Sequence, residues 1–377
     1  MSTSVSDYLA KQQQVNANSP LLSYFVAFEE LYNKKLYHQL TIKLLQFIQN
    51  ENPKNLVELY ENFISDFETR IKHLSLVEMS SRIIDQIPLA EAKLQFIEKI
   101  QGKVKNDVLS NILCNIIIGQ IKLSSGDFKG TKEIIETNDS LIDSEMGITT
   151  IHARFYQLAS DYYQKVGNHA EYYHNALRYL GCCGSAGVDI SESDEVLAQR
   201  AFTLALAAIL GKDVYNFGEL LLHPILKKLK PEHVYMRDML NAFNSGNISL
   251  FDELKPKWST QLDLSTNEID MRTKICLLCL MELAFSAPSG VLTFKNISDS
   301  TRLPIGDVEL LVMKALSKGL VKGNIDEVES KVTITWVQPR VLNKNQISNM
   351  KGRLESWIKD VNEFSSKLET RAQEIIA

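Results

Sequence analysis

Two cysteine pairs are the residues of this chain whose types and spacing come closest to those of a metal-binding or redox site. Cys276 and Cys279 have the Cys-x-x-Cys spacing used for zinc binding and for thiol redox reactions. They lie inside an apolar segment, with no second pair to complete a zinc site and no preceding strand of a thioredoxin-like unit. We therefore interpret them as core residues, and Cys182-Cys183, beside a glycine-rich loop, as a chance pair.

The histidines and glycines also do not form a recognisable catalytic, metal-binding or phosphate-binding motif. His169 and His174 are five residues apart, whereas the metalloprotease helix motif needs two histidines four apart. His223 precedes Pro224 and is interpreted as a helix-end residue. The sequence has no phosphate-binding G-x-x-x-x-G-K-[ST] loop, no G-x-G-x-x-G and no nucleophile elbow. We therefore predict no catalytic, cofactor-binding or metal site, and no enzymatic activity.

Composition narrows the class of protein. The chain has 377 residues, of which 45% are hydrophobic, so it can bury the cores of two or three globular units. A net charge of −5 gives no general attraction to nucleic acid or to an anionic membrane. No apolar run approaches the ~18 residues that span a bilayer, and the first residues lack the pattern of a secretion signal. With five sparse cysteines, these features predict a cytosolic or nuclear protein, and the location that we expect is cytoplasmic and nuclear.

Helical periodicity fills the first three quarters of the chain. Apolar residues recur at spacings of three and four from residue 20 to residue 285. Short glycine turns punctuate them at Gly126, Gly167, Gly211 and Gly246, which lie 41, 44 and 35 residues apart. This period is typical of paired helices stacked in a helical-repeat solenoid, and residues 162–177 resemble a tetratricopeptide unit.

Residues 291–338 have the element order of a winged helix. Residues 291–294 are predicted as a strand and 295–303 as a short helix. A longer helix begins at Pro304, ends before Gly319, and is followed by a hairpin that returns through Trp336. The apolar face of that longer helix consists of Val308, Leu311, Val312, Ala315 and Leu316.

Charge argues that this winged helix contacts protein. A helix that reads a DNA groove needs lysine and arginine to meet phosphates. Here Asp307 and Glu309 occupy the turn that would enter the groove, and the predicted wing is acidic. The nucleic-acid alternative needs a basic face assembled from distant residues, the candidates being Lys227, Lys228, Lys230, Lys255 and Lys257.

The last strand of the winged helix is a candidate interface. Val332, Ile334 and Trp336 alternate with a second set and are predicted to face the domain core. If the strand is an outer one, its free backbone can pair with a neighbouring subunit; the alternative is that it is internal to the sheet. The second set, which we predict to be in the interface, consists of Thr333, Thr335 and Val337.

The C-terminal segment is predicted to be one amphipathic helix. From about Asn345, apolar residues recur in alternating steps of three and four, the heptad pattern of a helical bundle. The stripe must be buried somewhere, and its narrowness favours helices of other chains over the domain's own winged helix. These candidate interface residues are Ile347, Met350, Leu354, Trp357, Val361, Phe364 and Leu368.

Helical repeats, a winged helix and a C-terminal helix, in this order, resemble the PCI family, which includes subunits of the proteasome lid, the signalosome and a translation initiation factor. Individual stretches are similar to those of one non-ATPase subunit of the proteasome regulatory particle lid. They are LYENFIS at 59–65, GNHAEYY at 167–173, YNFGELLLHP at 215–224, NAFNSGN at 241–247, VELLVMKALS at 308–317, GLVKG at 319–323 and TWVQPR at 335–340.

The resemblance implies a mainly α fold with three parts. Residues 1–170 would be N-terminal helical repeats. Residues 171–338 would be the PCI domain, with its helical part at 171–285 and its winged helix at 286–338, and residues 339–377 the C-terminal helix. It also implies a non-catalytic scaffold in a hetero-oligomer. The expected partners are other PCI lid subunits and the lid deubiquitinase module, near the ubiquitin-receptor subunit, with no nucleic acid, membrane or cofactor.

Overall fold

A computed structural model describes residues 5–15, 21–50, 55–105, 107–142, 150–186, 193–287, 290–342 and 344–376. The chain forms two compact units. The first takes in Met1–Gly167 and His174–Ile190, and the second takes in Asn168–Tyr173 and Ser191–Ala377. Helices make up the first unit, whereas the second combines helices with a three-stranded sheet.

The first unit begins with helices around an aromatic core. Phe28, Phe47, Phe63 and Phe67 are almost fully buried, with the rings of Phe28 and Phe47 packed edge to face at 5.5 Å. The helix predicted around Phe63 contains a π-helical turn at Tyr60–Ile64. The helices are α1 Val5–Val15, α2 Leu22–Asn33, α3 Tyr37–Asn50, α4 Leu56–Leu59, α5 Ser65–Phe67, α6 His73–Asp85 and α7 Ala90–Lys103.

Longer paired helices follow, and glycine turns separate them. These are α8 Val108–Ser124, α9 Phe128–Ile142, α10 Thr150–Val166 and α11 His169–Ala186. Gly126 and Gly167 have φ of +83° and +81°, a conformation that glycine adopts without a steric penalty. The turns predicted at these glycines are confirmed, and the helical-repeat character of the chain with them.

The second unit contains a helical part and one deeply buried helix. Its helices are α12 Asp194–Leu210, α13 Gly218–Leu222, α14 Val234–Ser245, α15 Ile248–Glu253, α16 Lys255–Trp258, α17 Leu262–Thr266 and α18 Glu268–Ser286. From Ile275 to Met281 every residue of α18 is at most 7% exposed, so this helix lies within the core of the unit.

A winged helix follows α18, as predicted. Strand β1 spans Val291–Thr293, helices α19 and α20 span Phe294–Thr301 and Ile305–Ser317, and strands β2 and β3 span Val321–Asp326 and Lys331–Val337. The Thr293 hydroxyl accepts a hydrogen bond from the Asn296 N–H at 3.2 Å and caps α19. Gly319, at φ +67°, ends α20. The predicted apolar face of α20 is buried, apart from the half-buried Leu316.

Strand β3 is the central strand of the sheet. The order is β1-β3-β2, both pairings are antiparallel, and Val332 lies opposite Leu292 on one side and Ile325 on the other. The outer-strand alternative for β3 is therefore wrong, because its first half is paired on both sides. The edge strands are β1 and β2.

A bulge explains why Trp336 is not in the core. Val332 and Ile334 are buried as predicted, but Trp336 is 39% exposed. The register shifts so that Gly323 lies opposite Ile334 and Lys322 opposite Trp336, leaving Thr335 as the extra residue. A Cβ on Gly323 would lie 2.1 Å from the Thr333 carbonyl oxygen, so only glycine fits there. The extra residue breaks the alternation after Ile334, and the prediction for Trp336 is wrong for this reason.

The final helix, α21, spans Lys344–Ile376 and contains 33 residues. Its length and position confirm the helix predicted for the C-terminal segment. Among the helices of the described residues, none combines the length and the apolar content needed to span a bilayer.

Candidate protein-interaction surfaces

The apolar stripe of α21 is exposed along its whole described length. We call the seven predicted residues Ile347, Met350, Leu354, Trp357, Val361, Phe364 and Leu368 the seam. Their exposed fractions run from 40% at Met350 to 64% at Trp357. Ile358, also 55% exposed, widens the seam, and the heptad prediction did not include it. Exposing so many large apolar side chains on one helix is unfavourable in water. The seam therefore has the character of a surface that contacts another molecule.

A polar clamp fixes the base of this helix to the second unit. Arg340 donates one hydrogen bond to the Glu282 carboxylate at 2.7 Å and another to the Asn244 carbonyl at 3.2 Å. Gln346, in the first turn of α21, donates to the other oxygen of Glu282 at 2.8 Å. The Arg340 side chain is only 9% exposed, and such charge-assisted bonds are strong when water is excluded. Glu282 therefore ties α18 to both sides of the linker that leads into α21.

The segment between β3 and α21 is also held at Val341, by a hydrogen bond and by close packing. The Asn216 side-chain oxygen accepts hydrogen bonds from the N–H groups of Gly218 and Val341, both at 3.3 Å. A Cβ on Gly218 would lie 2.4 Å from the Cβ of Val341, so the glycine lets the linker approach closely. The direction in which α21 leaves the domain is thereby set by contacts before its first turn.

The first half of the seam borders an open cleft beside the sheet. Met350, Leu354 and Trp357 line this cleft of about 700 Å³ together with Phe285 and Trp336. The seam residues at the cleft are nevertheless 40% to 64% exposed, so the cleft is not a closed packing of α21 on its own winged helix. The later seam residues Phe364 and Leu368 do not line it.

The predicted interface residues of β3 do not share one face of the sheet, because Val337 lies opposite the buried Val321. Thr333 and Thr335 are exposed, and Val337 is half-buried near the base of α21. Thr333 lies in the half of β3 that is paired on both sides, so it can meet a neighbour only through its side chain. The strands with an open edge along their whole length are β1 and β2.

Cys276 and Cys279 are core residues, as interpreted. All five cysteines are buried and free, and Cys276 and Cys279 are 2% and 7% exposed. Burial, with smaller contributions from Cys276 and Glu282, raises the pKa of Cys279 to about 11. Burial raises the pKa of Cys114 to about 12. These thiols stay protonated at neutral pH and are weak nucleophiles.

The structure also accounts for His223. Its Nδ1 accepts a hydrogen bond from the Ile225 N–H at 3.2 Å, which caps the 3₁₀ helix Pro224–Lys228. Burial lowers the pKa of this imidazole, so it is neutral at pH 7. The interpretation of His223 as a helix-end residue is confirmed. Within the described ranges, no three His, Cys, Asp or Glu side chains converge on a common point.

One buried charge was not predicted. The Lys274 ammonium donates to the carbonyl oxygens of Ala208, Ile209 and Gly211 at 2.8, 3.0 and 2.7 Å, which closes the C-terminal end of α12. Burial is the main cause that lowers the pKa of Lys274, to about 7. Its partners are 63 to 66 residues away in sequence, so no local pattern could have indicated it. The same holds for the pairs that Glu282 makes with Arg340 and Gln346.

Carboxylates partly neutralise the basic face considered for nucleic acid. Lys228 pairs with Asp194 at 2.8 Å, and Lys255 pairs with Glu268. In the winged helix, Lys331 pairs with Glu329 at 2.6 Å. Two of the five candidate lysines are thus engaged, which reduces the positive charge that this face offers to phosphates.

Family models match the chain in three consecutive parts. A model described as PSD13 N-terminal repeats matches residues 24–240, the PCI domain matches residues 251–336, and the Rpn9 C-terminal helix matches residues 340–372. The last range contains the whole seam.

Curated relatives match over nearly the full length. The chain is 37% identical to 26S proteasome non-ATPase regulatory subunit 13 homolog B of Arabidopsis thaliana, covering 97% of this chain and 98% of that protein. It is 35% identical to the probable 26S proteasome regulatory subunit rpn9 of Schizosaccharomyces pombe, covering 98% and 97%. It is 33% identical to the 26S proteasome regulatory subunit RPN9 of Saccharomyces cerevisiae, covering 98% of both chains. The chain therefore belongs to the family of 26S proteasome non-ATPase regulatory subunit 13.

Proposed function

We propose that this chain is a non-catalytic structural subunit of the proteasome regulatory particle lid. In this role it supports assembly of the lid and thereby the ATP-dependent degradation of ubiquitinated proteins. The observation that carries the proposal is the exposed seam of α21, in a segment that matches the family's C-terminal helix model. A helix that exposes its apolar stripe is suited to a bundle with helices of other subunits.

The clamp at Arg340 and Glu282 supports this role. Presenting a long helix in a fixed direction lowers the entropy that binding must overcome, because the helix is ordered before the partners arrive. Thr333, Thr335 and Val337 are the proposed second contact, with the half-buried Val337 nearest the base of α21. The N-terminal repeats are proposed to offer a separate surface to further partners.

The proposed partners are other PCI subunits of the lid and the lid deubiquitinase module, with the ubiquitin-receptor subunit nearby. The proposed location is cytoplasmic and nuclear. We propose no enzymatic activity. The buried, protonated cysteines and the capping role of His223 support that part, because neither group is available to a substrate.

The test is affinity purification of the tagged full-length chain from cytosol at moderate salt, followed by native mass spectrometry. Recovery in a megadalton assembly that contains ATPases and a peptidase core is expected. Recovery of the chain as a free monomer, or with RNA, would contradict the proposal. A version truncated before Lys344 is the matched control, and it should be lost from the assembly while remaining folded.

A further inference from the structure

A basic cleft lies in the second unit, away from the seam. It has a volume of about 340 Å³ and lies between the end of α12, the first half of α18 and the end of α20. Four lysines line it, whereas Asp270 is the one acidic residue among the described lining residues. Such an excess of positive charge is unusual on a chain whose net charge is −5. The lysines are Lys212, Lys274, Lys314 and Lys318.

The lysines divide into those already engaged and those free to bind. Lys274 is buried and directs its protons to three carbonyl oxygens, and burial lowers its pKa to about 7, so it offers the ligand no donor and only part of a positive charge. Lys318 pairs with Asp213 at 3.3 Å. Lys212 and Lys314 are exposed, and neither has an ion-pair partner within 4 Å in the described part of the chain. Two free ammonium groups therefore stand at the rim.

Part of the lining of this cleft is apolar, beside polar residues such as Asn267 and Thr273. Leu210, Met271 and Leu277 line the cleft, and the Tyr215 ring lies 5.8 Å from the ammonium groups of both Lys274 and Lys318. A cleft that combines apolar side chains with free ammonium groups fits a ligand that carries both an apolar group and negative charge.

We propose that this cleft binds a short acidic segment of a partner protein, which inserts one apolar side chain and places flanking carboxylates against Lys212 and Lys314. A phosphate ligand fits less well. The two free lysines would also attract a phosphate, but no arginine is present among the described lining residues to hold one with a bidentate fork. Asp270 and the C-terminal carbonyls of α12 also oppose a dense negative charge, whereas they are tolerable beside single carboxylates.

The surface is separate from the proposed role of α21, because none of its residues belongs to the seam or to the clamp. The proposal therefore does not depend on lid assembly. A failure to bind acidic peptide would leave the seam experiment unaffected, and the reverse also holds.

The test is fluorescence anisotropy with the purified full-length chain and a labelled peptide in which one leucine is flanked by aspartate and glutamate. The double variant K212E/K314E is expected to weaken binding by about tenfold or more, since two attractions become repulsions. K212Q/K314Q should lose less, because it only removes the attractions. The matched control K43E/K129E changes the net charge equally at exposed lysines of the first unit and should leave binding unchanged.

Two further probes identify the ligand class. Replacing the leucine of the peptide by serine should weaken binding several-fold, and tripolyphosphate should compete poorly. Equal binding by the wild-type chain and K212E/K314E, or no binding to either, would overturn the proposal. It would also be overturned if tripolyphosphate displaced the peptide readily and the leucine made no difference, because the cleft would then be a phosphate site. Circular dichroism of each variant establishes that a loss of binding is not a loss of folding.

Discussion

Helices α18 and α21 are both long and rich in apolar residues, yet they serve opposite purposes. In α18 the residues from Ile275 to Met281 are buried without interruption, so the apolar surface surrounds the helix. In α21 the seven seam residues form a narrow stripe at two heptad positions of a polar helix, and all seven are at least 40% exposed. The comparison shows that the pattern of apolar residues, more than their number, decides whether a helix stabilises its own chain or is available to others.

The largest expected effect is on the free energy of unfolding, and it should differ strongly between matched substitutions in α18 and α21. Leu278→Ala in α18 should lower the free energy of unfolding by about 2–5 kcal/mol, because it leaves a cavity at a position that is 0% exposed. The matched change Leu354→Ala in α21, at 55% exposure, should cost within about 0.5 kcal/mol. Urea denaturation of the isolated chain measures both. Similar losses for the two variants would show that the seam is packed in the monomer.

The next effect concerns association. Trp357→Ala combined with Phe364→Ala should cost about 2–4 kcal/mol of binding free energy, because large aromatic anchors dominate helical interfaces. The isolated chain should stay folded. Lys359→Ala with Glu363→Ala removes an exposed ion pair of 3.9 Å on the same helix and should leave association intact. Co-purification with partner subunits is the measurement; if the aromatic variant retained them, the seam would not be the contact.

Lys274, the buried lysine of α18, should make the stability of the protein depend on pH. The pKa of Lys274 is lowered to about 7, mainly by burial, below the value of about 10.4 expected when unfolded. Between these values the folded state holds fewer protons than the unfolded state, so this group makes stability rise with pH by up to about 1.4 kcal/mol per unit. Asp213 and Lys318 are the charged groups that modify the shift, in opposite directions.

Lys274→Met removes this contribution. The unfolding free energy of the wild-type chain, relative to that of the variant, should therefore rise as the pH increases from about 7 to 10. Above pH 10 it should level off. Denaturation at a series of pH values, with Lys351→Met in α21 as an exposed control, measures it. A difference independent of pH would mean that the folded and unfolded pKa values of Lys274 are alike.

The smallest expected effect is at the clamp between the two helices. Arg340→Ala should cost about 1–2 kcal/mol of stability, because it leaves Glu282 with one partner fewer. It should also speed amide exchange in the first turns of α21, since the base of the helix is then less constrained. Lys351→Ala removes an exposed pair with Glu355 and should have no such effect. Hydrogen exchange read by mass spectrometry distinguishes them, and unchanged exchange in Arg340→Ala would show that the clamp does not hold the helix.

Much of the fold was predictable because its signals are local. The glycines at Gly126 and Gly167 end helices by a backbone conformation that other residues avoid, and the heptad steps of the C-terminal segment identify one helix directly. Trp336 was mispredicted because a bulge at Thr335 changes the alternation, and neither residue type signals the register of the strand opposite.

The candidate surfaces were predictable to different degrees. The seam follows from periodicity alone, and it is exposed where the pattern places it. The basic cleft was not predicted, since it combines Lys212, Lys274 and Lys314 from three elements that are distant in sequence. The clamp was missed for the same reason.

By itself, the sequence determined the helical repeats, the winged helix, the C-terminal helix and the absence of recognisable catalytic motifs, because period, turn residues and motif spacing act over a few residues. Only the tertiary structure decided that β3 is central, that Lys274 caps α12, and that Glu282 holds both Arg340 and Gln346. These features depend on which groups, distant in sequence, come into contact once the apolar faces are buried. Those contacts are determined by the packing of the whole unit and not by any local pattern.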